Sequence, residues 1–350
     1  MPSQGDRAPR AKHATRAILL VAGIALGVFL VWKTGWAAVE ANLASIGWWF
    51  VGLTAFYLLA EIAFVLGWRA VMDPRPPLSS LPSLLRIYLA GNTLNYLAPG
   101  SVAGEPVRAS MLRERLGTSS AIASVAIFKH AHMLSQAIFV ASGLFVAVIY
   151  FDLPAAVRWT ALTSVVVLCA LVVVVTWAFR KGTFAPIVAF LSRFKLLARR
   201  LERHQEGALQ LDDRIKRFYV DRRPHFFSAA AWCLLGWCGG LVETYVVLRL
   251  LAPGRGWETA CAVESLAMLL NNMFLFVPGR AGTAEGVRTG VFVLLGLPAS
   301  TGVAYGLVRR ARELMWVLPG LALLGHRPAA LASRETVAGP PALAPSEQSR

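Results

Sequence analysis

The chain has 350 residues, 56% of them hydrophobic and only 15% charged, where a soluble protein carries about a quarter charged residues. So little charge cannot cover a core of this size, which excludes a soluble enzyme, a secreted disulfide scaffold and an ordinary nucleic-acid binder. The 35 Lys and Arg against 19 Asp and Glu give +16, yet 12 of those basic residues crowd into 180–223 and four more precede residue 17. That clustering is what membrane orientation produces, and the surplus charge suits anionic lipid headgroups better than nucleic acid.

Residues 1–16 are polar and basic and read as a cytoplasmic tail. The apolar run 17–32 precedes many others and lacks a small-x-small cleavage site, so it is expected to be an uncleaved first helix. Further crossings are expected at 47–68, 121–151, 155–179, 226–251 and 301–324, by the rule that about 20 apolar residues span roughly 30 Å of hydrocarbon. Two pairs of pieces, 84–97 with 101–117 and 260–277 with 285–297, are too short to cross singly. Each pair is interrupted by Pro-Gly, at Pro99-Gly100 and Pro278-Gly279, and each is expected to enter and leave on one side. The basic loop 180–225 carries Ile187, Phe190, Leu191, Phe194, Leu197 and Leu201 at helical spacing, the mark of an amphipathic helix on the inner leaflet. The Pro/Ala/Ser-rich tail 326–350 is expected to be disordered. With both termini inside, 25 of the 35 basic residues are cytoplasmic.

Trp32, Trp36, Trp48, Trp49, Trp68 and Trp257 lie near span ends and read as interfacial anchors. Cys169, Cys233, Cys238 and Cys261 lie in apolar stretches and read as small buried residues. No cofactor, metal or catalytic motif stands out: there is no P-loop, HExxH or nucleophile elbow.

The chain repeats itself at an offset of about 180 residues. Residues 92–100 read NTLNYLAPG and 271–279 read NNMFLFVPG; EPVR at 105–108 is matched by EGVR at 285–288. Upstream, Leu59, Glu61, Val65 and Leu66 correspond to Leu241, Glu243, Val247 and Leu248. Downstream, KHAH at 129–132 faces RRAR at 309–312. Repeat one covers about 17–151 and repeat two about 155–325 of one transmembrane domain, 17–325. Three crossings per repeat is an odd number, so the copies are expected to be inverted, an architecture that presents one site to either side of a membrane. The expected fold is therefore all-α: a polytopic helical membrane protein of two inverted repeats, each with three crossings and a re-entrant hairpin.

Glu61, Glu105, Glu243, Glu264, Glu285 and Glu313, with Arg108, Lys129, Arg288, Arg309, Arg310 and Arg312, all sit in or beside apolar spans. A charge at mid-membrane costs about 3 kcal/mol even on a lenient scale, so these groups need partners or water. Glu105 with Arg108, and Glu285 with Arg288, have the i,i+3 spacing of an ion pair. Such pairs either pin the hairpins or free their arginines for a phosphate. Glu313 alone cannot neutralise Arg309, Arg310 and Arg312, and the surplus wants an anion. Glu61 and Glu243 read as lone buried carboxylates, either proton carriers or protonated hydrogen-bonding groups. His130 and His132 read as packed polar side chains rather than a relay.

The Asn-to-Pro-Gly stretch from Asn92, the Gly104-Glu105-x-x-Arg108 after it, and the second copy from Asn271 to Glu285-x-x-Arg288 resemble the lysylphosphatidylglycerol synthase transmembrane, or flippase-like, family. The resemblance covers roughly 15–325, and two positions depart from it: Ala103 replaces a second glycine, and Lys129-His130 stand where arginine is expected. It implies handling of membrane lipid without the aminoacyltransferase domain of the family's larger members. The expected function is flipping of an anionic or isoprenoid-linked lipid across the bacterial inner membrane, without a cofactor. Asn92, Gly104, Glu105, Arg108, Asn271, Glu285, Arg288, Arg309, Arg310 and Arg312 are the expected substrate contacts, with Glu61 and Glu243 as proton-coupling candidates. A membrane-embedded enzyme, or a scaffold bound to a lipid-biosynthesis enzyme, is the alternative.

Overall fold

A computed structural model describes residues 36–98, 100, 102–182, 184–191, 205–274, 277–280 and 282–325. The first expected span, Pro99, most of the proposed amphipathic segment and the C-terminal tail lie outside them. Among the described residues the chain is helical throughout: α1 (Trp36–Ile46), α2 (Trp49–Ala70), α3 (Leu81–Leu97), α4 (Gly104–Leu116), α5 (Thr118–Tyr150), α6 (Ala155–Lys181), α7 (Phe184–Leu191), α8 (Gln205–Asp221), α9 (Arg223–Leu251), α10 (Trp257–Asn271), α11 (Thr283–Leu294) and α12 (Ala299–Gly325). This is a polytopic helical membrane protein.

Helices α2, α5, α6 and α9 are long and apolar enough to cross a membrane. Their outer faces expose Phe145, Ile149, Val166, Val173 and Leu235, apolar area that water would penalise and hydrocarbon does not. Helix α12 has 27 residues, ample length for a crossing, but Arg309, Arg310, Arg312 and Glu313 interrupt its apolar character.

The helices of each short pair pack against each other. At 1.5 Å per residue α3, α4, α10 and α11 are about 26, 20, 23 and 18 Å long, short of the roughly 30 Å hydrocarbon layer. Helix α4 returns along α3 and α11 along α10. Both turns use a left-handed glycine at the matched position, Gly100 (φ 84°) and Gly279 (φ 60°), where a Cβ would be strained.

Packing follows the repeat. Helices α2 and α9, which correspond in sequence, form the central pair. Around them α5 packs on α10 as α12 packs on α3, and α4 packs on α5 as α11 packs on α12. Each copy's long helix thus grips the other copy's hairpin. Both grips rely on a glycine against a buried hydroxyl residue: a Cβ on Gly143 would lie 1.8 Å from Ser265 Oγ and 2.9 Å from the Cys261 carbonyl oxygen, and one on Gly320 would lie 1.9 Å from Thr93 Oγ1 and 3.0 Å from the Leu89 carbonyl oxygen. Small residues of this kind let membrane helices approach closely.

Two expectations need correction. Trp68 is no interfacial anchor; it is fully buried, with Tyr88 and Phe128 around it, whereas Trp36, Trp48, Trp49 and Trp257 are exposed. Of the cysteines only Cys233 is buried; Cys169 is exposed on α6. The expected amphipathic segment, 187–201, is described only in its first part, where α7 lies; the same loop also holds α8, which buries Ala208, Leu211, Asp212, Ile215, Phe218 and Tyr219, a stripe of i, i+3, i+4 positions. Burial raises the Tyr219 phenol above its ordinary pKa, and it meets His130 Nδ1 at 2.5 Å. Thr176 bonds the Val172 carbonyl with its own hydroxyl hydrogen, so His130 Nε2, 3.0 Å away, is the donor to Thr176 Oγ1. His130 therefore accepts from Tyr219 and fastens α8 to α5 and α6.

Gly143→Val should lower thermal stability in detergent by about 1–3 kcal/mol through overpacking. Gly52→Ala, where nothing lies within 4 Å, should be neutral or slightly stabilising. Equal midpoints for the two variants would refute the close α5–α10 contact.

Candidate functional site

The first copy builds half of the site from its hairpin and α2. Asn95 stitches the hairpin: its Oδ1 accepts from the Gly104 backbone N–H at 2.7 Å, and its Nδ2 donates to Glu105 at 3.3 Å. Gly104 has to be glycine, since a Cβ would lie 2.0 Å from the Gly91 carbonyl oxygen. Gly91 in turn leaves room for Arg108, whose Nε would be 2.5 Å from a Cβ there. The Arg108 guanidinium lies over the Tyr88 ring, 4.4 Å from its centroid, and donates to Asn92 Oδ1. Asn92 Nδ2 donates to Glu61 at 3.1 Å. Lys129 binds Glu105 at 2.9 Å, while the expected Glu105–Arg108 pair is a longer 3.9 Å.

The second copy supplies an ionic network. Arg309 reaches Glu243 at 2.7 Å and also pairs with Glu264. Arg312 pairs with the other Glu243 oxygen at 3.1 Å and lies over the Tyr57 ring of the first copy, 3.6 Å from its centroid. Thr244 and Tyr305 complete the Glu264 shell at 2.8 and 3.1 Å. Arg310 binds Glu285 at 2.6 Å, the Gly279 and Arg280 carbonyls at 2.6 and 2.9 Å, and the Tyr96 hydroxyl of the first hairpin. Arg288 pairs with Glu313 at 2.8 Å.

This geometry overturns two inferences from spacing. Glu285 and Arg288 do not pair with each other; each takes a partner on α12. The arginines of α12 are not left to Glu313 alone, because Glu243, Glu264 and Glu285 reach in from α9, α10 and α11. Glu243 is accordingly not a lone carboxylate.

Two cavities of about 290 and 590 Å³ meet at Asn92, Asn271, Arg280, Arg288, Arg312 and Glu313 and form one chamber between the copies. Arg108, Lys129, Arg280, Arg288, Arg309 and Arg312 line it, against Glu61, Glu264 and Glu313 among the acids. Glu105, Glu243 and Glu285 stand behind the wall. The chamber face is therefore basic although the network beneath it is paired. Several polar atoms are buried there without a partner: Arg288 Nη1, Arg312 Nη1, Trp316 Nε1 and Asn271 Oδ1. Of the expected site residues, the chamber brings together Asn92, Arg108, Asn271, Arg288, Arg309 and Arg312 with Glu61; Arg310 is fully engaged outside it.

Residues 17–320 match the family described as the lysylphosphatidylglycerol synthase TM region. The chain belongs to this family. It is also 22% identical over 311 residues to a "UPF0104 membrane protein" of Methanothermobacter thermautotrophicus, covering 84% of this chain and 88% of that one. No solved structure matches it. In this family member, the repeated Asn, Glu and Arg positions of both hairpins lie at or just behind the chamber wall.

The chamber also uses residues that the motif reading missed. Tyr57 precedes Glu61 by one helical turn, and Tyr88, Asn95 and Tyr96 join the expected Asn92 in a polar stripe on α3. The i,i+4 spacing of Tyr57 to Glu61, and of Tyr88 and Tyr96 to Asn92, was a usable signal. Trp316 and Arg280 carried none.

Removing one member of a buried ion pair costs about 3–5 kcal/mol, because the other charge is stranded. Glu243→Ala, which strands Arg312 and leaves Arg309 with Glu264 alone, should collapse the thermal midpoint in detergent, and Glu243→Ala/Arg312→Ala should recover part of the loss. A midpoint unchanged in the single variant would remove Glu243 from the structural core.

Proposed function

We propose that the chain moves an anionic lipid, or a lipid-linked phosphate precursor, between the leaflets of a bacterial inner membrane, both termini being cytoplasmic. The headgroup passes through the chamber while its chains remain in hydrocarbon. The observation that carries this reading is the set of stranded donors at the wall, Arg288 Nη1, Arg312 Nη1 and Trp316 Nε1. A buried N–H without a partner costs about 1–3 kcal/mol, and an oxyanion supplies the acceptor oxygens that these donors lack. The basic lining supports the same sign of ligand. The family description, a region of a lipid-modifying synthase, supports a lipid-related role.

The exchanged packing of the two copies supports the inverted arrangement that alternating access needs. Between the two proton-coupling candidates the geometry favours Glu61. Glu243 is held by two arginines, whereas Glu61 lines the chamber and takes a neutral donor, Asn92. Glu61 can change its protonation without parting an ion pair.

The test is lipid exchange in reconstituted vesicles containing headgroup-labelled phosphatidylglycerol. Arg288→Ala and Arg312→Ala should slow protein-dependent exchange by about tenfold or more. Glu61→Gln should abolish the response to an imposed proton gradient and leave exchange without the gradient intact. Wild-type rates in both arginine variants would overturn the headgroup assignment, and a chemically altered lipid on mass analysis would make the protein an enzyme instead.

A further inference from the structure

The polar chamber does not close on its α6 side. A second space of about 560 Å³ lies between α5, α6 and the end of α10, and it shares Gln136, Leu168, Leu171 and Asn272 with the chamber wall. Beyond that neck its lining is apolar: Val140 on α5, Trp159 and Val167 on α6, Leu269 on α10, and Met273 just after α10. The polar residues that also face it do not make it polar. Of Thr160, Thr163 and Ser164, the two threonines spend their hydroxyls on the Ala156 and Trp159 carbonyls at 2.7 and 2.8 Å.

Helix α6 suits a side wall of this kind. It packs on α5 and touches α8, and within it only Ala161 and Val172 are buried. The groove follows its 160, 163/164, 167/168, 171 stripe, about 16 Å of helix. Leu162, Val166 and Val173 lie on its other, lipid-facing side.

We infer that this groove is a lateral portal for the hydrocarbon chain of the transported lipid, and this rests on the headgroup reading above. Continuity decides the occupant. A headgroup at Arg288 and Arg312 is attached to a chain that has to leave the basic chamber for the bilayer. The shared Gln136–Asn272 neck joins the polar space to an apolar one that opens beside a lipid-facing helix. A water-soluble anion would have no use for such an exit.

The experiment is photolabelling of the protein in phosphatidylglycerol nanodiscs doped with phosphatidylglycerol bearing a diazirine in its acyl chain, followed by peptide mapping. Labels should concentrate several-fold on Thr163, Val167 and Met273 over Leu162 and Val173; equal labelling around α6 would overturn the portal. Thr163→Trp, which fills the groove, should reduce that labelling and slow vesicle exchange by about fivefold, while Leu162→Trp should match wild type. Exchange at the wild-type rate in a folded Thr163→Trp variant would also overturn it. A phosphatidylcholine version of the probe separates the two readings. Groove labelling equal for both headgroups would support the portal and refute anion selection in the chamber, whereas anion-selective exchange with uniform α6 labelling would refute the portal alone.

Discussion

Hydrocarbon cannot solvate a charge, so every ionised group carried into the membrane has to find its counter-charge within the fold. In this chain the requirement converges on Glu243. Both its oxygens are engaged, one by Arg309 and one by Arg312, and it sits on α9, which with α2 forms the central pair of the bundle. Arg309 extends the same network to Glu264 on α10. Three helices, α9, α10 and α12, are thus fixed around one carboxylate. The low dielectric that makes these pairs strong also makes each indispensable, because a partner removed leaves a charge with no water to turn to.

The two copies answer this requirement unequally. The second has RRAR followed by Glu313; at the same place the first has KHAH followed by Met133. Lys129 still finds Glu105, but the histidines serve packing. His130 fastens α8 to the bundle, and His132 lies among Phe64, Phe128 and Trp237, with centroid distances of 4.9–5.9 Å. One long helix is therefore held by a network of ion pairs and the other by one ion pair and aromatic contacts. The chamber lies between a charged wall and a softer one.

How much of this was legible depended on whether a feature is local along the chain. The hairpins were, because Pro-Gly and a span too short to cross are local facts. So were the paired motifs of the repeat, whose helices make matching contacts. Pairing was not. Spacing linked Glu285 to Arg288 on one helix, yet α12 passes close enough that both prefer partners there. That approach is governed by contacts such as Gly320 against Thr93, residues far apart in sequence and unremarkable alone. Trp68 misled for a related reason: its place at a span end suggested an interface, but α2 is central and buries its end. Tyr57 and Trp316 matter only because α2 and α12 meet across the chamber.

The same inequality locates where the chamber walls are most easily separated. Parting α12 from α9 would break the Arg309 and Arg312 pairs with Glu243 and strand Glu243 and Arg312 together, Arg309 keeping Glu264. Between α12 and the first hairpin the polar links are of another kind: the Arg310–Tyr96 contact, a 3.5 Å bond from Thr93 to the Val317 carbonyl, and the close seat of Gly320. Arg310 keeps Glu285 and two carbonyls when Tyr96 leaves, so that separation strands no charge. A seam crossed by one neutral and one charge-assisted hydrogen bond, with no ion pair, costs about 1–3 kcal/mol per bond to open, against about 3–5 for a broken buried ion pair. The boundary between α3 and α12 is therefore the cheap one, and it borders the part of the chamber that contains Arg288, Arg312 and Trp316.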